Sequence, residues 1–216
     1  MSAPRLVLAS ASAARAELLA AAGFSFEVRI APADAELAAL EAARRRGGSP
    51  EELVLAAARA KAEAVAAALA QGPAVVLAAD TVAVTARGEI LGKGRDQREA
   101  AAILAKLAGT RHRVLTGVVA LAVPGGRRRE LVAGTELAMS PMSAAQIAAY
   151  VASGAACGAA GAYRIQEGGA DRLVRVVSGS LSNVVGLPVE EIIPVLAGFA
   201  ILPVARRPDG ADKPRG

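Results

Sequence analysis

The sequence predicts a mixed α/β fold, and two patterns carry that reading. Through the first half of the chain, short strand-like apolar runs alternate with helical patterns, as in successive βαβ units. Further on, Arg113–Val123 and Glu130–Ser140 are two strand-like runs joined by Pro124-Gly125-Gly126, the signature of an antiparallel hairpin.

The elements follow in order. Leu6–Ala9 is a short apolar strand ending in Ser10-Ala11-Ser12. Ala13–Ala22 has helical periodicity and stops at Gly23. Phe24–Ile30 alternates as a strand does, and Ala31–Ala35, with Pro32, reads as a loop. Two helices are expected next, Glu36–Arg46 and Ser49–Gln71. The second opens Ser49-Pro50-Glu51-Glu52, a capping box with proline at the first helical position. Ala74–Thr85 is the strongest strand of the sequence. Asp96–Leu107 is a helix capped by Asp96, with Glu99 three residues later. After the hairpin, Ser143–Ser153 is a helix, Gly154–Gly169 a glycine- and alanine-rich loop, and Leu173–Ser178 a short strand. A last helix begins at Pro188 and runs to Ala197. The expected organisation is a single domain over residues 1–205, with residues 206–216 a disordered tail.

Composition narrows the function classes. The chain has 216 residues, 54% of them hydrophobic, but aromatics make up only 2%, so Leu, Ile and Val must fill the core. Net charge is +5, which favours anionic partners. The basic runs Arg44–Arg46 and Arg127–Arg129 and the basic tail have no interleaved aromatics, so no nucleic-acid partner is expected. A single cysteine, Cys157, excludes an intrachain disulfide and fits a cytoplasmic location. The longest apolar run, about Val189–Val204, is broken by Glu190, Glu191 and Pro194, and no membrane span is expected.

Four segments can carry chemistry. Ser10-Ala11-Ser12 lies between a strand and a helix, where free N–H groups and the helix dipole suit a phosphate, with Arg15 one turn in. Alone, Ser12 reads first as a plain N-cap. Asp80, in Leu77-Ala78-Ala79-Asp80-Thr81-Val82, is a carboxylate inside an apolar strand, which is costly unless paired, protonated or bound to metal. Lys93 sits in a glycine-flanked loop and Lys61 in an otherwise apolar helix; both suit a phosphate as point charges. Ser180–Pro188 reads as a polar loop able to hold a sugar or base edge. One histidine, His112, cannot build a His-rich metal site, and there is no P-loop or G-x-G-x-x-G after a strand. What remains is carboxylate, lysine and hydroxyl chemistry, suited to Mg²⁺ or Mn²⁺ with phosphate oxygens.

Together these segments resemble the Maf family of nucleotide pyrophosphatases. Its S-x-S-P-R-R-x-x-L-L corresponds to Ser10–Leu19, its helical K-A to Lys61-Ala62 and its A-D-T-V to Ala79–Val82. Its G-x-I-L-x-K-P corresponds to Gly88–Gly94, its G-x-x-H-x-V-x-T-G-V to Gly109–Val118, its A-G-A-Y-x-I-Q to Ala160–Gln166 and its S-N-V-V-G-L-P to Ser182–Pro188. The resemblance covers Leu6 to about Leu196. It implies a long twisted central sheet flanked by helices, with two lobes around a cleft. It also implies hydrolysis of a nucleoside triphosphate to monophosphate and pyrophosphate with a divalent cation, Mg²⁺ or Mn²⁺. Thr81 with Gln166 is similar to the subgroup acting on dTTP and UTP.

Carried over by resemblance, Asp80, Glu36, Lys61 and Lys93 are the expected catalytic residues, with Asp80 and Glu36 also organising the metal. Asp34 competes with Glu36 for the second acid. Ser10, Ser12, Arg15, Thr81 and Gln166 are the expected substrate contacts, and a homodimer is allowed. The chain departs from the family pattern at Ala13 (usually proline), at Ala14 (arginine), and at Ala155 and Ala159 (glutamate and lysine). Those departures support an alternative reading, a catalytically impaired nucleotide-binding or cell-division regulatory protein. A phosphatase of another α/β class is disfavoured by the absence of a D-x-D-x-T/V pattern.

Overall fold

The computed structural model describes residues 4–69, 72–156, 158–166 and 169–204, so Cys157 and the tail lie outside the described residues. Among the described residues seven strands form one mixed sheet: β1 (Arg5–Ala9), β2 (Phe26–Arg29), β3 (Ala74–Thr85), β4 (Ile90–Leu91), β5 (Arg111–Val123), β6 (Arg128–Met139) and β7 (Val174–Ser178). Their order is β2-β1-β3-β5-β6-β7, with β4 on β3. β2, β1 and β3 are mutually parallel, while β5, β6 and β7 join antiparallel. The sequence-based expectation of parallel units followed by a hairpin is thereby met. The helices are α1 (Ala13–Ala21), α2 (Ala33–Arg45), α3 (Pro50–Ala67), α4 (Gln97–Leu107), α5 (Ala144–Ala152), α6 (Leu181–Val185) and α7 (Val189–Ala197).

Local chemistry accounts for the boundaries. Ser49 and Glu52 close the capping box of α3, Ser143 and Gln146 do the same for α5, and Asp96 accepts from the Glu99 amide at the start of α4. Two expectations need correction. Ala31–Ala35 is not all loop, because α2 begins at Ala33; Asp34 and Glu36 sit in its first turn, where negative charge is favoured by the helix dipole. Ser180–Pro188 is not a plain loop, because Ser180 caps the short helix α6. Five residues are too few to show a helical period in sequence.

The core splits by strand periodicity. Leu6 and Leu8 of β1 and Val75, Leu77 and Ala79 of β3 face one side, packing with Leu19 of α1 and Ile192 and Leu196 of α7. Val7, Ala9, Val76 and Ala78 face the other side, against Ala58, Ala62 and Val65 of α3. A separate cluster gathers around α4, α5 and the far ends of β3, β5 and β6, with Leu104, Leu107 and Leu137 at its centre. The strands β3, β5 and β6, of 12, 13 and 12 residues, run through both regions. At about 3.3 Å per residue each spans roughly 40 Å, long enough to join two lobes.

Gly117 of β5 sets how closely α3 lies on the sheet. It is directly opposite Asp80 in the β3–β5 register. A Cβ there would stand 2.6 Å from the Val54 carbonyl carbon and 2.7 Å from its oxygen. The obstacle is helix backbone, which cannot rotate away as a side chain can. Gly117→Ala is therefore expected to lose stability at or above the upper end of the about 1–3 kcal/mol usual for overpacking. Gly134→Ala in β6 would meet only the mobile Leu115 Cδ2 at 3.3 Å, and should stay within about 1 kcal/mol of the native protein. Urea unfolding of the two variants checks the contrast, and equal midpoints would refute it.

Candidate active site

β1 pairs with β3 only from Arg5↔Ala74 to Leu8↔Leu77, and β4 covers the same edge again at Ala83↔Leu91 and Val84↔Ile90. Between them the edge of β3 from 78 to 82 carries neither strand. This gap lies just beyond the carboxyl end of a parallel strand, where open α/β sheets commonly bind ligands. Asp80 and Thr81 occupy it, and as neighbours on a strand they point to opposite faces.

On the α3 face, Lys61 Nζ lies 2.7 Å from Asp80 Oδ1 and 3.0 Å from Glu36 Oε2. Lys61 follows Val54 and Ala58 along the buried stripe of α3, so the close approach over Gly117 carries its ammonium to Asp80. Asp80 is 6% exposed, and its side chain is sheltered behind Lys61. Glu36 and Lys61 reach the surface of the adjoining cleft. The structure also separates the two acids left open by the sequence. Asp34 is exposed and accepts from the Ala35 amide, whereas Glu36 joins the lysine.

On the opposite face, Arg15 of α1 is buried and donates three hydrogen bonds: Nε to Gly186 O (2.8 Å), one Nη to Ser10 Oγ (3.2 Å) and the other to Thr81 Oγ1 (2.9 Å). Burial pushes the guanidinium below its ordinary value, while Asp80 and Glu36 pull it back up; an arginine stays charged across that range. The protons can be followed further. Thr116 Oγ1 donates to Asn183 O (3.2 Å), so in the 3.0 Å Thr81–Thr116 pair Thr81 is the donor. The order is Arg15 to Thr81 to Thr116 to the Asn183 carbonyl, tying α1, β3, β5 and α6 together.

A cleft of about 710 Å³ opens over both faces. One wall is the turn from Ser10 to Arg15. Ser10 Oγ accepts from the Ser12 amide and Ser12 Oγ from the Arg15 amide, which leaves each hydroxyl its own proton to donate. The other wall is the segment 158–166, with Lys93 beside it. Gln166 and Lys93 are exposed at the rim. All nine site residues expected from sequence thus converge, eight along the cleft and Asp80 just behind it. Asn183 does not face the cleft: its Nδ2 donates to Val114 O and Thr135 Oγ1, so it serves the core.

Sequence reasoning missed the support of the second wall. His112 Nε2 and Tyr163 OH are 2.7 Å apart, both groups are buried, and Tyr163 borders the cleft. Burial lowers His112 from 6.5 to about 4 and raises the Tyr163 phenol. Being the sole histidine is a composition fact, and nothing local in the sequence reports its partner. The linkage sign is definite. A histidine depressed in the folded state binds its proton more readily when unfolded, so its contribution is complete above pH 6.5 and lost as pH falls towards 4. That loss is about 3 kcal/mol at 1.36 kcal/mol per pH unit. Denaturant unfolding from pH 7 to 4 should show it, and His112→Gln should flatten that slope; an unchanged slope in the variant refutes the assignment.

Residues 5–199 match the Maf-like protein family. The chain belongs to that family. Among curated Maf relatives, a dTTP/UTP pyrophosphatase of Anaeromyxobacter dehalogenans (strain 2CP-C) is 47% identical over 204 residues, covering 92% of this chain and 97% of the relative. A dTTP/UTP pyrophosphatase of Cupriavidus metallidurans is 42% identical over 194 residues, 88% of this chain and 94% of the relative. One from Salinibacter ruber is 42% identical over 198 residues, 91% and 92% respectively. Among the described residues no helix is long and apolar enough to cross a membrane.

Proposed function

We propose that this Maf-like protein is a nucleoside triphosphate pyrophosphatase acting on dTTP and UTP, releasing the monophosphate and pyrophosphate. The observation that carries the reading is the lysine held between two carboxylates, Asp80–Lys61–Glu36, at a cleft whose other wall offers hydroxyls, a helix N-terminus and cations. The relatives' names supply the substrate.

A divalent cation fits the donors present. Two carboxylates, Asp80 and Glu36, lie within reach of one ammonium at the cleft. That set suits Mg²⁺ or Mn²⁺, which take one or two carboxylates and complete their shell with water and phosphate oxygens. Asp80 and Glu36 would hold the ion, and when bound it supplies positive charge to the phosphate oxygens.

The chain's own residues then divide the work. Asp80, held by Lys61, accepts the proton of the water that attacks the α-phosphorus. Lys61 and Lys93 balance charge gathering on the departing pyrophosphate. Ser10 and Ser12 donate to phosphate oxygens at the start of α1. Arg15 keeps that turn in place and adds its field to the pocket. Thr81 and Gln166 border the base. Thr81 acts here partly by holding Arg15. The reading includes a cytoplasmic location, a single domain and a homodimer as an allowed assembly.

The test is to incubate the purified protein with Mg²⁺ or Mn²⁺ and a panel of triphosphates, separating pyrophosphate from orthophosphate. Pyrophosphate from dTTP and UTP is the expected result. Nucleotide binding without turnover would instead support the impaired, regulatory reading, and orthophosphate as first product would overturn both.

A further inference from the structure

Four groups link the cleft to the core in a chain that runs one way. At one end is the Arg15 guanidinium, which can only donate; at the other is the Asn183 main-chain carbonyl, which can only accept. Between them stand Thr81 and Thr116, directly opposite in the β3–β5 register, with hydroxyl oxygens 3.0 Å apart. Only one arrangement of the two hydroxyl protons makes all three hydrogen bonds. Thr116 gives its proton to Asn183 O, and Thr81 gives its own to Thr116.

The accepting end is pinned. Asn183 is buried, and its Nδ2 donates to Val114 O (3.0 Å) and Thr135 Oγ1 (2.9 Å), while its carbonyl also accepts from Gly186 N (3.0 Å). Thr116 is fully buried too. Thr81 is different, being half-buried and lining the cleft. Its proton is spent inward and Arg15 takes one of its two lone pairs. Towards the cleft it therefore keeps a lone pair and no proton. The neighbouring Gly186 leaves this oxygen uncovered, since a Cβ there would stand 3.5 Å from it.

We propose that Thr116 is a positioning residue for base selection. It holds Thr81 as a pure acceptor, which pairs with the N3–H of thymine or uracil and repels the N3 lone pair of cytosine. This rests on the pyrophosphatase reading above, with Thr81 bordering the base. The three bases share one ring, so hydrogen-bond polarity rather than size separates them.

Thr116→Val and Thr116→Ser test this with dTTP and dCTP. Native protein should favour dTTP in kcat/KM roughly tenfold to a hundredfold, the range for one unmatched hydrogen-bonding group. Thr116→Val keeps the shape but returns to Thr81 a proton it can turn towards the cleft, so the preference should shrink roughly tenfold. The Asn183 carbonyl keeps its Gly186 partner in that variant, so no buried acceptor is orphaned. Thr116→Ser keeps the proton order, and its preference should stay within about twofold of native. A merely structural Thr116 would lower both turnovers together and leave their ratio alone. The proposal is overturned by a native protein without preference, by an unchanged ratio in Thr116→Val, or by equal losses of preference in the two variants. If the native protein turns over no triphosphate, the pyrophosphatase reading fails by itself. Calorimetric binding of dTMP and dCMP to native and Thr116→Val protein then decides, and the same affinity ratio in both overturns the proposal.

Discussion

Asp80→Asn should lower pyrophosphate release by about 10²–10⁴-fold, the usual worth of a positioned acid–base group, with dTTP affinity in the absence of divalent cation close to native. The substitution keeps size and shape but removes the proton acceptor. The fold should tolerate it, because Lys61 keeps its 3.0 Å pairing with Glu36 and no charge is left unpaired. Rate and binding must therefore be measured separately, by product release and by calorimetry. A variant retaining a tenth of native turnover would remove Asp80 from the chemistry. A variant that lost turnover only by unfolding would show the residue to be structural.

The complementary change, Lys61→Met, should damage the fold as well as the rate. Asp80 is 6% exposed and its short ion pair would vanish. Breaking one partner of a buried pair costs about 3–5 kcal/mol, because the remaining charge is stranded. Glu36, whose side chain is 32% exposed, can return to water and adds little to that loss. The double variant Lys61→Met/Asp80→Asn removes the stranded charge. It should recover about 1–3 kcal/mol over Lys61→Met alone, a coupling typical of residues in contact. Strict additivity in the unfolding free energies would mean that the 2.7 Å contact contributes nothing.

Much of the chemistry was legible because charge inside an apolar pattern is conspicuous. Asp80 in the run from Leu77 to Val82 drew attention for the cost of burying it, and Lys61 for interrupting an alanine-rich helix. Read singly, each had an ordinary structural explanation, and the ordered motifs of the Maf resemblance joined them. The basic runs show the limits of local reading. Arg128 turned out to pair with Glu63 and Glu130, and Arg127 lies 4.9 Å over the Phe199 ring. Glu130 is only two residues from Arg128, but the contacts to Glu63 and Phe199 join residues far apart in the chain and leave no local signature.

The sequence by itself determined most of the elements, since caps and periodicity act over three or four residues, though not the short helix α6 or the two-residue strand β4. Ser49 with Glu52, Ser143 with Gln146, and the alternation along Ala74–Thr85 each carry their structure locally. Only the tertiary structure decided which faces meet. Arg15 bonds Gly186 across 171 residues, His112 meets Tyr163 across 51, and Gly117 lets α3 settle where Lys61 finds Asp80. Those pairings follow from sheet order and from the close packing of backbone on backbone, which bring together positions that no local signal connects.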